Sequence, residues 1–536
     1  MDSSTITEID REDLSGLIER IQHAIENDLS LSLEDMNLLL QAITTLCTLQ
    51  SNIEKKDVTL HKLRKLLGMV QQSERKRSSR SSSSKKNKSN KERKPKKKPA
   101  PPAVEHHRMT HYQKGQICPC CSRGKLYKFD PAKLLRITGH APFEAVQHIT
   151  DRLRCNACQT LYTADLPASV LEDGDANQKY GYSARSLMAI DKFYSGLPYY
   201  HQSSLADIFS QSISASTVFD QCEQVANAAT PVFYELKRQA ANANGFLIDD
   251  THNRILAQKP EMRGNPKGKG QKLRKGVYTS GMIAQCNDGH DIVLFETSLG
   301  HAGEHLHDIL KKRSPNLPAP LLMCDALSHN TTTTYELHVA HCNAHARRYF
   351  YDLEALYPED IEWLLQTYAG IWKNESFVKS QQMDDQKRLN YHEKYSLPIM
   401  QTIKDWALKK QSAKAFEQHS AFGKAIEYFL KYYKQLILFC RVKGALVDNN
   451  RMEEKLKIVI RGRKTSHFYK TVIGAGVANI LLSIIATCQQ ADENVYNYLL
   501  ALQRNRESIL ENPKEWMPWN YRDKVAVLSQ KNKPDK

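Results

Sequence analysis

The chain has 536 residues, of which 41% are hydrophobic and 25% charged, so at about 150 residues per domain it can form three or four domains with buried cores. Its 76 Lys and Arg outnumber 59 Asp and Glu, and the formal charge of +17 favours a polyanionic partner over a neutral metabolite. Twelve cysteines are too few for a secreted disulfide framework, and the acidic N-terminus lacks the apolar segment of a signal peptide, which predicts a cytoplasmic location.

A seven-residue repeat predicts a coiled-coil helix near the N-terminus. One of its two seam columns turns polar halfway, whereas the other is fully apolar and consists of Leu39, Leu46, Ile53, Leu60 and Leu67. A strict 3.5-residue period lets two helices bury a continuous seam. Residues 1–72 are therefore predicted to be a helical, leucine-zipper-like region that forms a homodimer or higher oligomer. An amphipathic helix packed on its own chain is the alternative.

Residues 73–104 are predicted to be a disordered basic linker. Between Ser73 and Lys98, thirteen Lys or Arg accompany only two Glu, so this stretch supplies +11 of the total charge. Such a composition cannot bury enough apolar surface to fold. Its charge predicts sequence-independent contacts with DNA phosphates, and a solubilising spacer is the alternative.

Two C-x-x-C pairs predict a zinc-binding domain over residues 105–165. The expected ligands are Cys118, Cys121, Cys155 and Cys158. Four thiolates complete a closed tetrahedral site with no open position for catalysis, so one structural Zn²⁺ is predicted. Ordinary buried thiols are one alternative; a redox pair is disfavoured because no βαβ pattern surrounds either motif.

Helical periodicity dominates residues 180–244, and the segment from Leu205 to Val225 has the pattern of a helix, a turn and a second helix. Ser214 or Ser216 can cap that second helix. A DNA-reading helix-turn-helix is one interpretation, and a helical hairpin leading into the next domain is the commoner one.

The C-terminal region, residues 471–536, is also predicted to be helical. Its uncharged apolar run from Val472 to Cys488 contains Asn479, Ser483 and Thr487. A run of this length with three polar side chains favours a buried helix over a membrane span.

Residues 245–470 are predicted to form a ribonuclease H-like catalytic domain, because three strands are followed by a helix and two more strands. Asp249 or Asp250 ends the first strand, and Asp325 ends the fourth. An acidic residue at the end of a buried strand is costly unless it is paired or binds a cation. Folds of this kind hold two divalent ions for phosphoryl chemistry. A strand-end aspartate that caps a turn is the alternative for each.

A third carboxylate is predicted after a helical insertion at about residues 353–442, on a helix capped by Asp448. At about 100° per residue, the helix places Met452, Leu456, Val459 and Ile460 on one face. Glu453 lies on the border of that face and Glu454 points away, so Glu453 can reach the sheet. The basic residues that follow, Arg461, Arg463 and Lys464, are predicted to contact DNA phosphates.

Taken together, these motifs resemble those of transposases of the insertion sequence 66 family, and the likeness runs from the heptad helix to the C-terminus. The first-strand motif of the family, Asp-Glu-Thr, is similar to Asp249–Thr251 with Asp250 in the second place. Further similar segments are HAGEHL at His301, MCDALSHN around Asp325, CNAHARRYF from Cys342, GALVDNN with Glu453, FYKT at Phe468, NYLLALQR at Asn497 and MPWNY at Met517.

The resemblance implies that Asp249, Asp325 and Glu453 are catalytic acids that hold two Mg²⁺ or Mn²⁺ ions. It also places the CNAHARR segment near the active site, where His345, Arg347 and Arg348 are expected to orient the acids or DNA. A further metal site in His338, His341, Cys342 and His345 is disfavoured because the segment passes from strand to helix. The fold class expected is multidomain α+β.

By the same resemblance, the chain binds transposon terminal inverted repeats and catalyses metal-dependent DNA strand cleavage and strand transfer. Its partners would be DNA, further copies of the chain and helper proteins of the same element, with no membrane, in a nucleoid-associated bacterial protein. Two alternatives remain open. One is a catalytically impaired protein that binds transposon ends, because Glu454 and Thr465 depart from the family pattern. The other is a ribonuclease H-like nuclease that does not join strands.

Overall fold

The computed structural model describes residues 11–27, 30–40, 43, 113–117, 119, 125–126, 142–154, 161–175, 177–264, 270–326, 334–413, 416–417 and 420–531. The chain divides into two units, Met1–His140 and Ala141–Lys536. In the first unit, α1 (Arg11–Glu26) precedes α2 (33–40), and an ion pair of 2.9 Å joins Arg20 to Asp35. Of the apolar seam column only Leu39 is described. The basic linker and the four zinc-ligand cysteines also lie outside the described residues, and the predicted domain boundaries stay predictions.

The strands and helices of the second unit have the following bounds. Its strands are β1 (Arg152–Arg154), β2 (Leu161–Thr163), β3 (Gly245–Asn253), β4 (Glu261–Gly264), β5 (Gln271–Arg274), β6 (Val277–Gln285), β7 (Asp291–Ser298), β8 (Leu321–Cys324) and β9 (His338–His341). Its helices are α3 (Ala168–Leu171), α4 (Tyr182–Ile190), α5 (Tyr199–Ile208), α6 (Ala215–Ala240), α7 (Ala302–Leu310), α8 (Asn343–Tyr351), α9 (Pro358–Ser380), α10 (Asp385–Tyr395), α11 (Leu397–Ser412), α12 (Ala421–Lys431), α13 (Tyr433–Leu436), α14 (Asn450–Ser466), α15 (Val472–Gln490), α16 (Val495–Arg504), α17 (Arg506–Glu511) and α18 (Tyr521–Lys531).

A mixed five-stranded sheet in the order β7-β6-β3-β8-β9 forms the centre of this unit. The β3–β6 and β6–β7 pairs are antiparallel, whereas the β3–β8 and β8–β9 pairs are parallel. Along the chain, three strands of this sheet are followed by helix α7 and then by two more strands of the sheet, as the sequence predicts. The mixed α+β class is confirmed. The short β4–β5 hairpin between the first two of these strands was not predicted.

The apolar C-terminal helix α15 covers the free edge of β7. Backbone N–H groups of alternate β7 residues donate to three side chains spaced four residues apart: Val293 to Thr487 (3.0 Å), Phe295 to Ser483 (2.8 Å) and Thr297 to Asn479 (2.9 Å). An uncovered edge would present unpaired donors to other strands. The helix is long and apolar enough to cross a membrane, but two thirds of its most apolar window is buried in the protein, which confirms the predicted core helix.

The predicted helix-turn-helix segment forms α5, a connection over residues 209–214, and α6. Ser214 caps α6, because its side chain accepts a hydrogen bond of 3.1 Å from the backbone N–H of Thr217. Helix α6 is 26 residues long and buries side chains from Val218 to Ala240. Much of its surface is therefore core, and DNA reading by its N-terminal turn stays a prediction.

Helices α9 to α13 form an insertion with an apolar core of its own, which includes Tyr368, Phe422 and Phe429. A buried charged cluster ties this insertion together. Glu375 accepts hydrogen bonds from Arg388 (3.1 Å) and His392 (2.9 Å). Arg388 also donates to the carbonyl of Ala445 at 2.6 Å, on the segment that leads into α14.

Candidate active site

Asp249 and Asp325 occupy equivalent positions of the neighbouring parallel strands β3 and β8. The prediction that an aspartate ends the first strand was wrong, because β3 continues through Asp249 and Asp250 to Asn253, whereas Asp325 directly follows β8 as predicted. Leu247 of β3 is paired in register with Met323 of β8, and each acid comes two residues later. Because side chains alternate along a strand, residues at equivalent positions of paired strands lie on the same face of a sheet. Both aspartates are half-buried.

Glu453 reaches the same face from the first turn of α14. Asn449, directly before the helix, donates its side-chain N–H to the carbonyl of Ile248 at 2.9 Å, next to Asp249. Met452, Leu456 and Val459 are buried, Glu453 is half-buried and Glu454 is exposed, as the helical spacing predicts. The cap assignment was wrong by one residue: Asn449 is the N-cap, and Asp448 instead accepts from Trp372 (2.8 Å) and the backbone of Asn450 (3.1 Å).

The electrostatics of Asp249 agree with this placement of the three carboxyl groups. Burial and the carboxylates of Asp325 and Glu453 together raise the pKa of Asp249 to about 7, against the opposing effect of a 2.8 Å hydrogen bond from the backbone N–H of Asp250. Oε1 of Glu453 is buried and has no hydrogen-bond partner. Mutually repelling, partly buried carboxylate oxygens are the ligands that Mg²⁺ and Mn²⁺ prefer, so the residues present fit a divalent cation.

The side chain of Asp250 lies on the opposite face of the sheet. Its carboxylate accepts hydrogen bonds from Ser280 (2.5 Å), His301 (3.2 Å) and the backbone N–H of Ala302 (3.1 Å) at the start of α7. Burial alone would raise the pKa of Asp250, but these donors outweigh burial and lower it. Asp250 is thus an ionised anchor between β3 and α7, and the two adjacent aspartates of β3 have different surroundings.

Comparison with known proteins shows the family of the chain. The sequence model of the transposase IS66 family matches residues 178–476, more than half of the chain and all three acids. The chain belongs to the IS66 transposase family. It is 22% identical over 447 residues to the uncharacterized protein y4hP of Sinorhizobium fredii (strain NBRC 101917 / NGR234), a match that covers 80% of this chain and 77% of that protein. It is 29% identical over 191 residues to the uncharacterized protein y4jD of the same organism, covering 35% of this chain and 36% of that protein.

In this IS66-family transposase, two of the three predicted orienting residues on α8 lie beside Glu453. His345 Nδ1 is 3.7 Å from Glu453 Oε1, and the guanidinium of Arg348 is 3.9 Å from Oε2. Arg347 instead places its guanidinium over the ring of Tyr351, 5.6 Å from the centroid. The imidazole and one guanidinium therefore face the acid, whereas the other guanidinium packs along α8.

Two of the three basic residues at the end of α14 bind groups of their own chain. Arg461 donates to the carbonyl of Tyr194, and Arg463 donates to Thr251 at 3.1 Å and to the carbonyl of His252. Lys464 is exposed. The two arginines hold α14 against a π-helical turn and against the end of β3, and Lys464 remains open to a partner such as DNA.

Sequence reasoning missed the contribution of the insertion to this site. Burial raises the pKa of Tyr428 on α12, and Tyr349 and Asp325 raise it further, so the phenol lies near the second acid. Only the place of Tyr428 in a long amphipathic pattern was visible in the sequence, and that pattern carries no information about distance to Asp325.

A glycine permits the close approach of α14 to the sheet. Gly281 pairs with Asp249 across β3 and β6, and a Cβ there would clash with Cε of Met452 and lie 3.1 Å from Leu456. Both neighbours are buried. We expect Gly281→Ala to destabilise the protein by about 1–3 kcal/mol, because the extra methyl group overpacks this contact.

Thermal or urea unfolding of purified variants measures this effect. Gly462→Ala is the matched control on α14 itself, since a Cβ there meets nothing within 4 Å and alanine favours helix by up to about 1 kcal/mol. Equal stabilities of the Gly281 and Gly462 variants would contradict the role given to Gly281.

Proposed function

We propose that this transposase binds the terminal inverted repeats of its element, cuts DNA strands there and joins the freed ends to target DNA. Asp249, Asp325 and Glu453 would form the Asp-Asp-Glu site of a ribonuclease H-like core. The observation that carries the proposal is the placement of these acids: Asp249 and Asp325 lie at equivalent positions of the paired strands β3 and β8, and the Asn449 hydrogen bond holds the start of α14, with Glu453, next to β3. Burial and the two other carboxylates, which are 76 and 204 positions away in the chain, raise the pKa of Asp249 accordingly. Such convergence of acids from two strands and a helix has no structural use without a cation.

Two Mg²⁺ ions, when bound by these three carboxylates, would activate the attacking water or 3′-hydroxyl and stabilise the leaving oxygen. The protein's own part is to fix the ligands. Parallel pairing of β3 and β8 sets Asp249 and Asp325 side by side, and the Asn449 hydrogen bond holds the start of α14 next to β3. Arg348 supplies a positive charge beside Glu453 that suits a DNA phosphate.

Cleavage and joining can use one site, since each is an in-line displacement at phosphorus and needs the same alignment of attacking and leaving oxygens. The basic linker of residues 73–104 would add sequence-independent affinity for DNA. The proposal also includes self-association through the heptad region, one structural zinc ion and helper proteins of the same element.

The test is an assay with the full chain and linear DNA that carries the inverted repeats flanking its gene. We expect nicking at the repeat ends and, with a supercoiled plasmid present, joined products, both abolished by a metal chelator. DNA with scrambled ends is the control. Nicking without joined products would support the nuclease alternative, and binding of the ends without nicking would support the impaired protein.

A further inference from the structure

Glu453, one of the three acids, also belongs to a second group of possible metal ligands. Cys342 Sγ, a ring nitrogen of His345 and a carboxylate oxygen of Glu453 all lie within 4.8 Å of one another. They come from the start of α8 and the start of α14. A thiolate and an imidazole are ligands that Zn²⁺ prefers, whereas Mg²⁺ prefers oxygen. This cluster therefore differs in metal preference from the group formed by Asp249, Asp325 and Glu453.

Two side chains of this cluster each contain a buried atom that has no hydrogen-bond partner. His345 Nδ1 and Glu453 Oε1 are both buried atoms without a donor or acceptor, and their separation of 3.7 Å is too long for a hydrogen bond. Buried polar atoms in native proteins nearly always have a partner. A cation between the imidazole and the carboxylate would satisfy both atoms.

Cys342 is held in a position that suits a metal ligand. It is the N-cap residue of α8, and its sulfur accepts a hydrogen bond of 3.2 Å from the backbone N–H of Asn449. The N-terminus of a helix favours a negative sulfur, so a cation that displaces the proton would meet a stabilised thiolate.

We propose that Cys342, His345 and Glu453 form a three-ligand site for Zn²⁺ or a similar borderline-soft cation, and that its occupancy withdraws Glu453 from Asp249 and Asp325. The site itself stands on the geometry alone. Its consequence, that zinc inhibits Mg²⁺-dependent cleavage, rests on the proposed function. The chemical basis is that a carboxylate drawn toward Cys342 and His345, and sharing its negative charge with Zn²⁺, is a poorer ligand for a cation held by Asp249 and Asp325.

Cobalt binding to the full chain tests the site without any activity. Co²⁺ replaces Zn²⁺ in such sites, and its bond to a thiolate gives a charge-transfer absorption band. We compare the wild type with Cys342→Ser, His345→Asn and the matched control Cys440→Ser, which removes another buried thiol. The four-cysteine motif contributes equally in all four proteins.

We expect Cys342→Ser to lose one thiolate-bound Co²⁺ per chain and the Cys440→Ser control to keep it. Cys342 is fully buried, so its replacement by serine can disturb folding, and the second variant removes this ambiguity. His345 is partly exposed, and His345→Asn should weaken cobalt binding by about tenfold or more. Binding of cobalt by His345→Asn as tightly as by the wild type would overturn the site.

Cleavage assays then test the consequence. Added Zn²⁺ should lower the Mg²⁺-dependent cleavage rate of the wild type, and Cys342→Ser should need about tenfold more zinc for the same relative loss. Equal zinc sensitivity of the two proteins would overturn the inhibitory role. If the wild type shows no cleavage at all but binds the one cobalt ion that Cys342→Ser loses and Cys440→Ser keeps, the proposed function fails and the site stands.

Discussion

Replacing Asp249 or Asp325 by Asn, or Glu453 by Gln, is expected to lower DNA-end cleavage by roughly 10³-fold or more, because residues that act as one unit each carry nearly the whole effect. Each substitution preserves size and removes one negative ligand charge. Binding of the transposon ends should survive, since these side chains do not hold the protein fold together. Gel-based cleavage and end-binding assays on the same preparations measure both results.

Stability separates loss of chemistry from loss of fold. Asp249 is a partly buried carboxyl group repelled by two others, so Asp249→Asn should unfold at the same or a higher temperature than the wild type without metal. Glu454→Gln is the matched control for Glu453, because Glu454 is adjacent and exposed. Cleavage by Glu453→Gln at the wild-type rate, or its loss in Glu454→Gln, would refute the assignment.

The Asp250→Asn substitution should have the opposite effects on stability and on cleavage. Asp250 lies outside the acid cluster and binds Ser280, His301 and the backbone of α7. An amide can replace only part of these contacts, so the protein should lose about 1–3 kcal/mol of stability and retain most of its cleavage activity. Chemical denaturation and the cleavage assay distinguish this anchor from its neighbour Asp249.

The second large effect is expected in the helical insertion, where Glu375→Gln should destabilise the protein by about 3–5 kcal/mol. Glu375 and Arg388 are both buried, and His392 is fully buried. The neutral amide would leave the guanidinium without its charge partner in a low-dielectric interior. Urea unfolding at neutral pH measures the loss.

The same cluster predicts a dependence of stability on pH. Burial alone would raise the pKa of Glu375, but the His392 hydrogen bond and the charges of Arg388 and Lys379 outweigh burial and lower it from 4.5 to about 2. A carboxyl group with a depressed folded-state pKa stabilises the fold above its unfolded pKa. About 3 kcal/mol should therefore be present above pH 4.5 and be lost as the pH falls toward 2.

Unfolding free energies measured between pH 6 and about 3 test this dependence. The Glu375→Gln variant should show a weaker acid dependence than the wild type, because the titrating group is gone. Glu393→Gln is the control within the same insertion: Glu393 and Arg441 are exposed and 3.7 Å apart, so the change should cost less than about 1 kcal/mol. Parallel pH profiles for the wild type and Glu375→Gln would contradict the buried cluster.

Several features that depend on local periodicity were predictable from the sequence. Apolar segments predicted the order of strands and the central helix and put acidic residues at Asp249 or Asp250 and at Asp325, whereas the register that aligns Asp249 with Asp325 came from the pairing of β3 with β8. Helical spacing distinguished half-buried Glu453 from exposed Glu454. Polar residues in an apolar run indicated a core helix, and α15 is one. Each prediction succeeded because hydrogen bonding and side-chain direction repeat along a single element.

Which distant residues meet depends on tertiary packing. Arg461 and Arg463 have the composition of a DNA-contacting pair, yet both bind backbone carbonyls of their own chain. Glu375, Arg388 and His392 form a buried cluster that no spacing rule predicts. Cys342 and His345 were visible as a motif, but their convergence on Glu453 depends on how α8 and α14 pack beside β3. Such contacts arise from packing between elements far apart in the chain, and the sequence pattern of one element carries no record of its neighbour's position.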